Sequence, residues 1–318
     1  MAAIEIIMKI CFIGNCGHSR QAFEVLRKRP DAELCGFAYG SENEISGIPQ
    51  SPFDGIPLYS SYREMLNVIK PELAVISPIF GYTGRIITEC AERGINVFAE
   101  KPVAATVDEL DTVENAVKTH KIRFCAMHYL RYSPAFYHAS ALVREGAIGK
   151  PVMITAQKSY KWGKRPEWYS SPELYTGIIP WVGIHALDWI YDFTRSPFVS
   201  VSARSAGSPE MAATCDFELE GGVFGTVNLD YLRPETAPTH GDDRIRVAGE
   251  NGIIEVIGDT VHIINKEGVT EITPKKSNTP ELLTEFLNGA IPITPEEIFH
   301  ITRVALTARD KAVHISHN

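Results

Sequence analysis

The sequence is short of the features that mark secreted, membrane-spanning or polyanion-binding proteins. Its six cysteines (Cys11, Cys16, Cys35, Cys90, Cys125, Cys215) are scattered over 318 residues with no C-x-x-C pair. That spacing offers neither a disulfide framework nor a thiolate clip for zinc, and it fits a reducing, cytoplasmic setting. Basic residues are in deficit, 31 Lys+Arg against 39 Asp+Glu, for a formal charge of -8. A broad cationic surface for nucleic acid or anionic lipid is thereby excluded. Long apolar runs are missing too: Glu5 and Lys9 interrupt the stretch from Met1 to Phe12. It lacks the unbroken core of a signal peptide, and nothing approaches the roughly 18 apolar residues of a membrane span. There is no tandem repeat and no low-complexity linker. What remains is 44% hydrophobic and 22% charged, a globular profile, and at roughly 150 residues per domain the length points to two domains.

The first third alternates short β-rich runs with helical stretches, the pattern of a parallel sheet with crossover helices. Strands are expected at Ile6–Ile13, Glu33–Ala38, Leu73–Ile76, Asn96–Ala99 and Arg123–Ala126, and helices at Arg20–Lys28, Tyr62–Val68, Thr83–Glu92 and Val107–His120. This predicts an α/β fold whose residues 1–126 form a doubly wound parallel-sheet domain. From about Pro151 the chain turns to Val/Ile/Thr-rich runs: Val152–Lys158, Val199–Arg204, Ala213–Leu219, Val223–Leu229, Asp243–Ala248, Gly252–Ile257 and Thr260–Ile264. Hairpin-sized breaks such as Glu220-Gly221-Gly222 make the second sheet largely antiparallel. Residues 127–318 then form an α+β domain, one sheet face covered by helices at Ser133–Glu145, Trp181–Thr194, Pro280–Asn288 and Pro295–His314. The hinge is expected between Ala126 and Pro134.

A strand ending at Ile13, then Gly14-Asn15-Cys16-Gly17-His18-Ser19-Arg20 and a helix, is the context of a dinucleotide turn, where helix N-terminal amides receive a pyrophosphate. The glycines fall at Gly14 and Gly17, with Cys16 and Ser19 at the second and third glycine places of G-x-G-x-x-G. The plainer reading is a glycine-bearing turn with no ligand. The acidic ribose reader expected after the second strand is replaced by Phe37-Ala38-Tyr39-Gly40-Ser41. A hydroxyl pair with no nearby arginine leaves NAD and NADP both open.

Glu100-Lys101-Pro102 follows the fourth strand candidate, which brings a lysine to the carboxyl end of a parallel strand. An isolated lysine there would ordinarily be a solvated loop residue. This stretch resembles the EKP signature of the Gfo/Idh/MocA oxidoreductases, the glucose–fructose oxidoreductase and inositol dehydrogenase relatives. The likeness extends through Ser77-Pro78, Arg131-Tyr132-Ser133-Pro134, Ile148-Gly149-Lys150-Pro151-Val152 and Gly183-Ile184-His185-Ala186-Leu187-Asp188. The resemblance implies hydride transfer between a nicotinamide, NAD or NADP, and a sugar- or cyclitol-like alcohol. It also implies that residues 1–126 are a Rossmann dinucleotide-binding domain and that the C-terminal sheet of residues 127–318 is open and builds a homo-oligomer. In that reading Lys101, His185 and Asp188 are catalytic: Lys101 contacts cofactor and substrate hydroxyl, and His185 handles the hydroxyl proton. The two converge beside the nicotinamide, with Asp188 as a supporting carboxylate. Gly14, Cys16, Gly17, His18, Tyr39, Ser77, Pro78, Glu100 and Lys101 form the cofactor site. Arg131, Trp168, Trp181 and His185 face the substrate.

The chemistry is independently reasonable, because oxidising a secondary alcohol needs a base titrating near working pH and a cation beside the developing alkoxide. Two departures from the family pattern stand out. Trp181 occupies the place of an aspartate four residues before His185, and Tyr82 stands near where relatives carry a histidine. They open two alternatives: a weakened member acting as a ligand-binding or regulatory protein, or a lyase or glycosidase that oxidises its substrate transiently. Lys158, Tyr160, Lys161, Trp162, Lys164, Arg165, Trp168 and Tyr169 mix cations with aromatics. In isolation they resemble a single-strand nucleic-acid platform, but the acidic whole argues otherwise and favours a substrate-mouth loop over a solvated face or subunit contact. His128 is near the same crevice or is a packed linker residue. His240, Asp242 and Asp243 are a small metal-like cluster without matched ligand spacing, so no metal is expected. His314 and His317 decorate a helix end.

Overall fold

The computed structural model describes residues 7–45 and 50–316, so Ile6 of the first strand candidate, His317 and the first half of the Met1 to Phe12 stretch lie outside the described residues. The chain divides into two compact units. One comprises Met1–Met127, Ser171–Thr176 and Leu282–Phe299; the other comprises His128–Ser170, Gly177–Glu281 and His300–Asn318.

In the first unit β1 (Met8–Ile13), β2 (Ala32–Ala38), β3 (Leu73–Ile76), β4 (Asn96–Ala99) and β5 (Phe124–Ala126) pair in the order β2-β1-β3-β4-β5, all parallel. Helices cover both faces, so the strands read as continuous apolar runs; Ile10 to Ile13 and Val75 to Ile76 are fully buried. Where helices begin, short polar side chains cap them: Ser61 accepts from the Arg63 amide and Thr106 from the Glu109 amide. An element too short to read from sequence adds to this sheet. Leu58 bridges Phe37 in parallel, with the Phe37 amide donating to Pro57 O and the Tyr59 amide donating to Phe37 O, each 2.9 Å. Counting it, the order becomes the 3-2-1-4-5-6 of a dinucleotide-binding sheet, with the switch point between β1 and β3.

The helix expected at Pro280–Asn288 as cover for the second sheet runs over Leu282–Leu287 and belongs to the first unit instead. The physical reason is aromatic. The Arg123 guanidinium lies 4.5 Å from the Phe286 ring centroid and donates to the Phe286 carbonyl, and the Phe98 and Phe286 rings meet at 5.8 Å.

In the second unit β6 (Pro151–Tyr160), β7 (Phe198–Ala206), β8 (Ala212–Leu219), β9 (Phe224–Asp230), β10 (Gly241–Gly249), β11 (Gly252–Ile257), β12 (Thr260–Asn265), β13 (Gly268–Ile272) and β14 (Val313–Ile315) form one sheet. Its order is β13-β12-β11-β10-β6-β9-β8-β7-β14, antiparallel except at the β6/β9 and β14/β7 seams. Alternation is clean, as in β8, where Ala213, Cys215, Phe217 and Leu219 are buried and their neighbours are not. Helices Pro134–Arg144 and Ile184–Thr194 cover one face. The helix expected to continue to His314 stops at Asp310, where the Lys311 and Ala312 amides close the last turn, and Val313–Ile315 joins the sheet edge instead. The expected start at Trp181 is also revised: Ile179–Gly183 is a π-turn, and the α-helix proper begins at Ile184.

Candidate functional site

The turn leaving β1 is held against the carboxyl ends of its neighbours. The Gly14 amide donates to Ala38 O (2.8 Å), the Cys16 amide to Ser77 O (2.7 Å), and the Ser77 amide to Ile13 O (2.7 Å), while the Ser77 hydroxyl donates to the Cys16 carbonyl. Gly14 and Gly17 take φ of 81° and 58°; a Cβ at Gly14 would stand 2.4 Å from Pro78 Cα, and one at Gly17 would stand 2.1 Å from Glu100 Oε2. Both glycines are therefore demanded by the protein's own packing. Cys16, at the degenerate place of the motif, is 8% exposed. Its side chain folds inward. Burial pushes its thiol well above the ordinary value, with the Glu44 and Glu100 carboxylates adding to the effect, so it is no reactive thiolate.

Glu100, expected in the wall of a ligand site, is fully buried and engaged on the turn itself. The His18 amide donates to its Oε2 at 2.5 Å, the His18 Nδ1 lies 3.0 Å from its Oε1, and the Lys101 amide donates to Oε1 at 3.0 Å. Burial alone would raise this carboxyl, but the charge and hydrogen bonds of His18, with Lys101, hold it below the ordinary value. Lys101 itself, directly after β4, is 2% exposed.

After β2, Tyr39 and Ser41 line a cavity of about 390 Å³ together with Ser60, Ser61, Arg63 and Arg85. The two arginines, which sequence reasoning missed, come from helices Tyr62–Ile69 and Thr83–Ala91. The absence of an arginine near Tyr39 in sequence is thus overturned in space. Beside the cavity the buried Glu44 carboxylate accepts from the Gly40 amide (2.8 Å) and the Ile79 amide (2.7 Å), and burial pushes it up to about 7.

The second unit gathers a separate polar cluster. His185, in the first turn of its helix, is 4% exposed, and its ring stands perpendicular to that of the fully buried His128 with centroids 6.2 Å apart. His128 Nδ1 is 3.6 Å from Asp188 Oδ1. Arg131, expected to face substrate, is 3% exposed and bidentate on Asp188, at 2.6 and 3.2 Å, with Asp192 3.5 Å away. It serves Asp188 as a buried counter-ion. Burial pushes Asp188 up to about 6 even so, outweighing Arg131. Trp181 is half-buried in the π-turn, a helical irregularity that recurs at functional sites.

Several other candidates are engaged elsewhere. The buried Lys158 ammonium pairs with Asp243 at 2.9 Å and lies 4.3 Å from the Trp189 ring centroid. Lys161 donates to the Glu235 and Ala237 carbonyls. Arg165 is surrounded by the rings of Trp162, Tyr169 and Tyr231, 5.1 to 5.7 Å from their centroids. Trp168 packs on Tyr169 at 4.3 Å. Asp242 is held by Arg244, and His240 lies edge-on to Tyr160. Among the described residues no group of three or more His, Cys, Asp or Glu is arranged to hold a metal ion, and no helix is long and apolar enough to cross a membrane.

The first unit fits a dinucleotide on three observations: a tight turn whose Cys16 side chain folds inward, a helix N-terminus directly behind that turn, and a polar cavity at the end of β2. Comparison with known proteins agrees. Residues 8–128 match the oxidoreductase family with an NAD-binding Rossmann fold, and residues 136–255 match the GFO/IDH/MocA C-terminal domain. The solved structure of a Thermotoga maritima protein described as an oxidoreductase is 37% identical, covers 96% of this chain and 97% of that one, and superposes with a TM-score of 0.89. D-apiose dehydrogenase of Paraburkholderia graminis is 23% identical over 81% of this chain and 70% of its own length. The NAD+-dependent scyllo-inositol 2-dehydrogenase of Bacillus subtilis is 27% identical over 64% of this chain and 59% of its own.

Proposed function

The chain belongs to the GFO/IDH/MocA oxidoreductase family, and from that premise we propose that it interconverts a secondary alcohol and a ketone on a sugar- or cyclitol-like substrate. The reading is supported most by one observation: an almost wholly buried lysine, Lys101, directly after β4 at the carboxyl edge of a dinucleotide-type sheet. Gly14, Cys16, Gly17, His18, Tyr39, Ser77 and Pro78 would hold the dinucleotide, whose nicotinamide supplies the hydride acceptor or donor. Lys101 polarises the reacting oxygen, where an ammonium favours alkoxide character. His185 takes or returns the hydroxyl proton. Asp188, with its carboxyl near 6, supports that transfer in the place of the aspartate that Trp181 displaces, and Arg131 positions it. Trp181 and Trp168 offer apolar walls to a sugar face. Residues 1–126 carry the cofactor and residues 127–318 the substrate.

The relatives' sugar and cyclitol substrates support the substrate class. Six free cysteines support a cytoplasmic setting. The uncovered sheet face and its rims, with Val152, Phe224 and Ile257 more than 40% exposed, support assembly of copies through that sheet. The test is turnover of a sugar and polyol panel with NAD+ and NADP+, followed by nicotinamide absorbance, in the native protein and in Lys101→Ala. The variant is expected to bind dinucleotide and lose at least roughly 100-fold in kcat, as for removal of one electrostatic donor. Undiminished turnover in Lys101→Ala overturns the assignment.

A further inference from the structure

We propose that the cavity beyond β2 is a 2′-phosphate subsite and that the protein prefers NADP over NAD. This rests on the dinucleotide reading above and concerns the one feature that reading leaves open. Discrimination at this end of the cofactor turns on charge: a carboxylate at the end of the second strand accepts from the ribose 2′-hydroxyl of NAD and repels a phosphate, whereas an arginine welcomes the phosphate.

Here the strand-end position holds Tyr39, a neutral phenol, followed by Gly40 and Ser41. The same cavity is lined by Ser41, Ser60, Ser61, Arg63 and Arg85, which makes three hydroxyls and two guanidinium groups against one exposed carboxylate, Glu42. The Ser41 hydroxyl is buried and has no hydrogen-bond partner among the described residues, so an anionic oxygen can satisfy it. Arg63 is bidentate on Glu89 at 2.5 and 2.7 Å, a pair that fixes its position while neutralising it. Arg85 lies 5.2 Å from the Tyr82 ring centroid and is in no salt bridge with a carboxylate among the described residues. It is therefore the cation left to receive a dianion. The nearby Glu44 opposes this only in part: it is buried against the Gly40 and Ile79 amides, and burial pushes its carboxyl up to about 7, so it carries only a fraction of a negative charge near neutral pH.

The test is calorimetric titration with 2′,5′-ADP and with 5′-AMP, alongside NADPH and NADH titrations followed by nicotinamide fluorescence. The native protein is expected to bind the 2′-phosphorylated member of each pair roughly tenfold tighter or more, the value of one charge-assisted contact. Arg85→Ala, an exposed position whose loss leaves the core untouched, is expected to erase most of that difference while 5′-AMP affinity stays within about twofold. Raising the salt should weaken 2′,5′-ADP more than 5′-AMP. Equal or tighter binding of NADH overturns the inference and leaves the redox reading standing. Failure to bind either dinucleotide overturns both. An NADPH preference that survives Arg85→Ala and Ser41→Ala together overturns the assignment of this cavity.

Discussion

Replacing Glu100 by Gln isolates the latch that holds the β1 turn. The side chain keeps its shape and loses its charge. The buried carboxylate accepts three hydrogen bonds, from the His18 amide, the His18 ring and the Lys101 amide. Because its carboxyl stays below the ordinary 4.5 despite complete burial, these interactions outweigh desolvation, and neutralising the group must lose more than it regains. Three charge-assisted bonds each fall by about 1 kcal/mol on becoming neutral, and the amide nitrogen now faces an N–H donor, a further 1 kcal/mol or so. About 3 to 4 kcal/mol is expected, a large share of a typical total of 5–15 kcal/mol. The sign with pH follows from the depressed value. This stability is present above 4.5 and is lost as pH falls through the lower folded-state value, so the gap between native protein and Glu100→Gln should narrow in acid. Urea midpoints by far-UV circular dichroism at pH 7 and at pH 4 measure the gap, and hydrogen exchange of the β1 and β4 amides locates it. A deficit under about 0.5 kcal/mol at pH 7, or one unchanged at pH 4, refutes the reasoning.

Gly17→Ala should lower stability by about 3 kcal/mol, from the left-handed backbone at φ 58° and a Cβ driven to 2.1 Å from Glu100 Oε2; since it strikes the same latch, its effect combined with Glu100→Gln should fall short of the sum, which a double-mutant cycle on thermal midpoints reads directly. Glu44, with its carboxyl at about 7 against an ordinary 4.5, contributes stability that is fully present below 4.5 and lost as pH rises through about 7. Glu44→Gln should flatten that fall, worth at most roughly 3 kcal/mol by linkage, and an unaltered pH profile of the thermal midpoint would count against it.

Local chemistry made much of the fold legible. Leu73–Ile76, Asn96–Ala99 and Val107–His120 stand where their apolar runs and the Thr106 cap indicate, because sharply bounded hydrophobic segments leave little freedom of register. Leu58 escaped notice because a single bridge beside Pro57 leaves no periodicity to detect. The π-turn before Ile184 escaped because its residues read as ordinary helix. Within the site, motif residues were visible but their partners were not. Glu100 and His18 are 82 residues apart, and Arg63 and Arg85 reach Tyr39 only through the crossover helices. Such pairings are products of topology. Arg131 teaches the same lesson in reverse: its type suggested a ligand anchor, and the fold consumes it on Asp188.

The segments Ser171–Thr176 and Leu282–Phe299, which pack with the amino-terminal sheet, bear on how this chain comes off the ribosome. The Phe124 ring has its stacking partner in Phe299, 5.4 Å away, and Arg123 waits for Phe286. A nascent chain of the first 126 residues therefore carries an unfinished flank along β4 and β5. That flank is capped only once the chain through Phe299 has emerged, so the unit built on this parallel sheet matures well after its strands have been synthesised.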